Sequence, residues 1–221
     1  MDNRLKKWVQ WLKVVQDDIQ QLLIKRRIFW EVQGIIKDNC ELHKPNYFYS
    51  YLGDTYIAYI LIGIRRQVKI DKQSVSFARL LSELADTPAV LSRKYYVSLY
   101  MGSIVEQFAD SYFDKFCGSE KAFISSDMVT ADLGELNRTA SEVEDFADKR
   151  IAHHDERQPK VLPRFKQIDS CLDGLDKLYC KYHSIFRAEG MDSLVPVRLY
   201  NWKQIFTVPW LKHEEEPEDL I

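Results

Sequence analysis

The sequence predicts an all-α protein, one helical bundle closed by a short aromatic segment. Two observations carry this. Apolar residues recur at steps of three and four through most of the chain, the spacing of one helix face. Glycine and proline are few, eight and seven in 221 residues, which suits helices and not a many-turned β fold. With 46% hydrophobic and 29% charged residues, the composition is that of an ordinary folded protein. One helical domain is expected over residues 1–212, and an acidic tail over 213–221 is expected to be disordered.

The elements follow in order. Trp8, Trp11, Leu12, Val15, Ile19, Leu22, Leu23, Phe29 and Trp30 form one stripe, so a helix is predicted from about residue 3 into the forties. Gly34 is the expected break or bend, and Lys44-Pro45 the end. "YFYSYLGDTYIAYILIGIRRQV", 47–68, is apolar on nearly all sides and reads as a central helix covered by its neighbours; strand is the rival, given its Tyr and Ile content. "DKQSVSFARLLSELAD" reads as a short helix capped by Asp71 or Ser74, with Phe77, Leu80, Leu81 and Leu84 inward. Residues 89–116 suggest a further helix, and "CGSEKAFISSD" a loop. A long helix is predicted to run to His153 and His154, followed by a linker between Pro159 and Pro163. The segment from Arg164 to Gly190 is helical by its spacing, with Gly190 as the stop. "VPVRLYNWKQIFTVPW" is a compact aromatic closing segment.

Net charge is −2, so no bulk basic field advertises nucleic acid. The charge is uneven. Residues 1–44 carry nine Lys and Arg against six acids, 116–158 carry five against ten, and 159–212 carry nine against five. A nucleic-acid partner therefore needs a local basic surface. The four cysteines are widely spaced with no C-x-x-C pair, which argues against a zinc knuckle and a disulfide framework. No signal peptide and no membrane-spanning run are visible, so a cytoplasmic protein is expected.

The candidate site is "DKRIAHHDERQPK", 148–160. On a regular helix Phe146, Lys149, Arg150 and His153 share one face, and Asp145–Lys149 and Arg150–His154 are i,i+4 pairs. A neutral imidazole takes a proton from a hydroxyl, an imidazolium returns one, and a guanidinium steadies a phosphate. RNA cleavage by its own 2′-hydroxyl needs those parts and no metal. The plain alternative is a charged helix terminus, since cations in a last turn are favoured by the helix dipole alone. Adjacent histidines on a helix point about 100° apart, so His153 and His154 are not expected to chelate one metal, and no metal or cofactor is predicted.

"ADKRIAHHD" resembles a helix end of the HEPN superfamily (higher eukaryotes and prokaryotes nucleotide-binding domains), in particular its U-type abortive-infection branch. In that branch a lysine, one residue, Ile or Val, then Ala-His, one residue and Asp follow a long helix. An upstream helix ends in a basic pair and an aspartate, here Arg65, Arg66 and Asp71, before a Ser-rich helix with paired leucines, here Ser74, Ser76, Leu80 and Leu81. The closing "YNWKQIFTVPW" is similar to that branch's Trp-x-x-Ile-x-x-x-x-Trp segment.

The resemblance implies a helical bundle that dimerises and, in active members, a metal-independent endoribonuclease of bacterial phage defence. It implies catalysis by His153, Arg150 and Lys149, with Arg65, Arg66 and His154 near the phosphate. Asp71 would pair with one arginine of the same cleft. The family motif is an Arg, four to six residues, then a His, and here Asp148 stands where that Arg is expected. An aspartate there repels phosphate, and Lys149 lacks the bidentate fork of arginine. Three functions follow: a ribonuclease of an abortive-infection or toxin–antitoxin system; an inactive HEPN module binding RNA, a nucleotide or a protein such as a cognate antitoxin; or an unrelated helical interaction protein. A homodimer is expected for the first two.

Overall fold

The computed structural model describes residues 2–152 and 155–210. The expected tail, 213–221, lies outside them. The fold is all-helical, with no strand among the described residues: α1 (Asn3–Asp38), α2 (Tyr47–Val68), α3 (Phe77–Asp86), α4 (Arg93–Ser98), α5 (Ala109–Cys117), α6 (Ser126–Phe146) and α7 (Phe165–Arg187). A π-helical turn, Ala147–Ala152, extends α6, and a 3₁₀ turn, Trp202–Thr207, closes the described chain.

Local chemistry sets most of the starts. Asp2, Asn46, Ser76, Ser92 and Ser125 each accept a hydrogen bond from a backbone N–H in the first turn that follows. For α3 the cap is Ser76, not Asp71 or Ser74. The Ser76 hydroxyl accepts from Arg79 N at 3.1 Å and donates to the Lys69 carbonyl at 2.6 Å, tying both ends of the α2–α3 loop. Asp71 instead accepts from Gln73 N at 2.6 Å, a turn inside that loop.

The core is built on the inward stripe of α1, where Leu5, Trp8, Leu12, Val15, Ile19, Leu22 and Leu23 are buried. Leu80, Leu81 and Leu84 of α3 and Leu172, Leu175, Tyr179 and Tyr182 of α7 join the same cluster. Only the second half of α2, from Tyr56 on, enters it. The expectation of a helix covered throughout fails for its first half, because α3 and α6 pack near the other end. Tyr47 is 95% exposed, and Phe48 and Tyr51 are exposed as well. The second half of α1 and the first half of α2 form an antiparallel arm held by Phe29 stacked on Tyr56, ring centroids 3.8 Å apart. Phe165 lies beside this stack, and Trp210 meets Phe48 edge-on at 6.4 Å.

Two further expectations are corrected. The first helix does not break at Gly34 but runs on to Asp38. One glycine costs about 1 kcal/mol in a helix, less than the bonded turns on either side supply. The segment 89–116 is not one helix. It holds α4, a turn through Gly102 at φ 76°, and α5. Its register is set across the chain, by Arg93 N donating to the Ala122 carbonyl at 2.8 Å and Ile124 N to that of Leu91 at 3.2 Å.

At Gly63 α2 packs tightly on α1: a Cβ there meets the side chain of Leu22, which is fully buried. Gly34 has open space around it. Gly63→Val is expected to destabilise the protein by about 1–3 kcal/mol through overpacking. Gly34→Ala is expected to stabilise it by up to about 1 kcal/mol. Urea unfolding followed by circular dichroism separates the two, and equal effects would contradict the close crossing.

Candidate functional site

The site lies where the last turn of α2 meets the end of α6. Arg65 lies in the last turn of α2 and Lys69 is the C-cap residue four positions on; both side chains turn the same way. Both reach Asp148 in the π turn. Arg65 Nε donates to its Oδ1, and Lys69 Nζ to its Oδ2 at 3.1 Å. Lys69 also holds Glu144 at 3.2 Å. The sequence reading missed Lys69. Its only local signal was the four-residue step from Arg65.

Arg66 does not join this cluster. Successive helical residues point about 100° apart, and Arg66 turns toward α1 to pair with Asp18 at 2.9 Å. The expected pairing of Asp71 with an arginine is likewise replaced by its turn to Gln73. Of Arg65, Arg66 and Asp71, the structure brings Arg65 alone to the "ADKRIA" segment.

The remaining cations are also partnered. Lys149 Nζ pairs with Asp145 at 2.7 Å and donates to the Gln158 carbonyl at 3.3 Å, and Arg150 donates to the Gln158 side chain. Asp145 also accepts from Lys160 N at 3.0 Å, which folds the loop back on the helix end. His153 and His154 lie outside the described residues.

The π turn changes which side chains share a face. With i→i+5 bonding the turn is wider, and residues five apart come closer to one face than on an α-helix. Phe146 and Ile151 both line a cavity of about 550 Å³ with Ile57, Leu61 and Phe165. A regular helix would have put Phe146 beside Lys149 and Arg150. The π segment instead puts the apolar pair against the bundle and the cations against Gln158. Asp155 N closes the turn on the Lys149 carbonyl at 3.1 Å.

The electrostatics follow from these contacts. Burial pushes the Asp148 carboxyl up, but hydrogen bonds from Arg65 and Lys69, with their charges, together outweigh it and hold it below its ordinary 3.8. The Asp148 bond, with help from Glu144, raises the Lys69 ammonium against the opposing effect of burial. Asp155 is held well below the carboxylate range by hydrogen bonds from Arg157. Chemically this is a two-cation clamp around one carboxylate, beside a second acid–base pair. Among the described residues, no group of three or more His, Cys, Asp or Glu is arranged to hold a metal ion. No described helix is long and apolar enough to cross a membrane.

No family model matches the chain, and no curated protein or solved structure is significantly similar to it.

Asp148 is depressed on folding, so its contribution to stability is present above the unfolded carboxylate value and is lost as pH falls through the lower folded one. Asp148→Asn is expected to cost up to about 2 kcal/mol at neutral pH, the size of two part-exposed ion pairs. The difference from the unaltered protein should close below the ordinary carboxylate range. Chemical denaturation across pH 2–7 measures this, and a gap independent of pH would refute the assignment.

Proposed function

We propose that the chain is a HEPN-like module of a bacterial abortive-infection or toxin system, acting on RNA without a metal as an endoribonuclease. One contact supports this function. Arg65, from the upstream segment that resembles the family, touches Asp148, in the downstream segment that resembles it. Two stretches 83 residues apart in sequence share one surface. The resemblance expects that of a cleft built from both.

In this reading His153 takes the proton from a ribose 2′-hydroxyl. The oxygen attacks the neighbouring phosphorus, the bond to the 5′-oxygen breaks, and a protonated histidine returns a proton to that oxygen. The products are a cyclic phosphate and a free 5′-hydroxyl. Arg150 and Lys149 hold the phosphate once released from Gln158 and Asp145. A homodimer brings two such motifs together, and the exposed Tyr47, Phe48 and Tyr51 of the arm offer apolar area for a second copy.

A second reading is favoured by a specific observation. Arg65, Lys69 and Lys149 are each matched by a carboxylate, and Asp148 stands in place of the family's arginine. This reading is an inactive module that binds RNA, a nucleotide or a cognate protein, and of these the neutral surface favours the protein.

Purified protein incubated with mixed RNA in EDTA distinguishes the two. Cleavage with cyclic phosphate ends is expected, and His153→Ala should reduce it by ~10²–10⁴-fold, the usual worth of general acid–base catalysis. Cleavage only with added divalent metal would refute the mechanism. No cleavage by either the unaltered protein or Asp148→Arg would leave the binding module as the function.

A further inference from the structure

The grip on Asp148 has the form of a site for an anion, with the anion supplied by the chain itself. Two cations, one in the last turn of α2 and one at its C-cap, address the two oxygens of one carboxylate separately, Arg65 on Oδ1 and Lys69 on Oδ2. Phosphate presents the same pair of neighbouring oxygens, and a guanidinium binds either group.

We propose that Arg65 and Lys69 form a phosphate-binding site whose resting ligand is the Asp148 carboxylate, and that a phosphate binds there by displacing it. This rests on the RNA-directed reading above and adds how its site is kept closed.

Three observations carry the proposal. First, the clamp is at the surface: the side chains of Arg65, Asp148 and Lys69 are 26%, 32% and 43% exposed, so a ligand has access. Second, the nearby acids have hydrogen-bond partners of their own. Glu142 accepts from the Gln167 amide, and Asp145 pairs with Lys149. Glu144 shares Lys69. When Asp148 leaves, Arg65 is released whole and Lys69 in part. Third, Asp148 belongs to the π turn and not to the α-helix before it. Its backbone sits in an uncommon register, of a kind found frequently at functional sites.

The alternative is an ion pair that merely joins α2 to α6. The two differ in what happens when Asp148 loses its charge. A structural pair leaves only a weaker protein. A masked site gains a ligand.

The test is equilibrium binding of inorganic phosphate, followed by phosphorus NMR titration, to the full chain and to Asp148→Asn, with folding checked by circular dichroism. Asp148→Asn is expected to bind phosphate about tenfold more tightly, the size set by releasing two part-exposed ion pairs. Adding Arg65→Gln to that variant should abolish the gain. Asp148→Ala serves as a second probe of the same effect. Unchanged phosphate affinity in both Asp148 variants, or a gain that survives Arg65→Gln, overturns the proposal. A parallel titration with a single-stranded RNA oligonucleotide separates it from the RNA reading. A gain for phosphate alone supports the masked site and counts against RNA as its source. RNA cleavage without any gain for phosphate overturns the masked site and leaves the ribonuclease standing.

Discussion

Gln67 is the constraint on which the arrangement depends. Its side chain is 1% exposed at the end of α2, where a polar group without partners costs about 1–3 kcal/mol. It meets that demand with two long-range bonds. Its amide donates to Asp18 of α1 at 2.9 Å, and its oxygen accepts from Phe77 N at the start of α3 at 3.2 Å. Buried Ser76 closes the same corner from the other side. Three helices are thereby oriented at one point. The rotation of α2 about its axis is set there, and every side chain of its last turn follows. Arg66 is carried toward Asp18, and Arg65 and Lys69 toward α6.

The surface around Asp148 is a consequence of that rotation, combined with acid placement at the end of α6. Segment 116–158 carries twice as many acids as bases, and its last turns supply Glu144, Asp145 and Asp148 to the cations that arrive there. These pairs are part-exposed, so each is weak and screened by salt. Breaking such pairs costs far less than breaking a deeply buried ionic network. The arm formed by α1 and α2 has the opposite character. It extends past the core, keeps aromatic side chains in solvent, and is steadied by the Phe29–Tyr56 stack and the closing segment. Lys203 of that segment pairs with Glu31 of α1 at 2.7 Å.

By itself the sequence determined the helical class, the span of α2 and the span of α7, because each is written locally. The apolar spacing of each lies within one segment, and Asn46 caps α2 from the adjoining residue. It also marked Arg65 and "ADKRIA" as notable, through resemblance. Only the tertiary structure decided the rest. The break of 89–116 depends on backbone bonds from Arg93 and Ile124 to residues outside α4 and α5. The π turn, the departure of Arg66 toward Asp18 and the recruitment of Lys69 depend on which neighbour each side chain meets. Asp148 read in sequence as a misplaced charge, and in the fold it is the ligand of two cations. Periodicity describes the faces of one helix at a time. The choice of partner across 83 residues is made by packing and by the need to satisfy buried polar groups, and no local pattern records it.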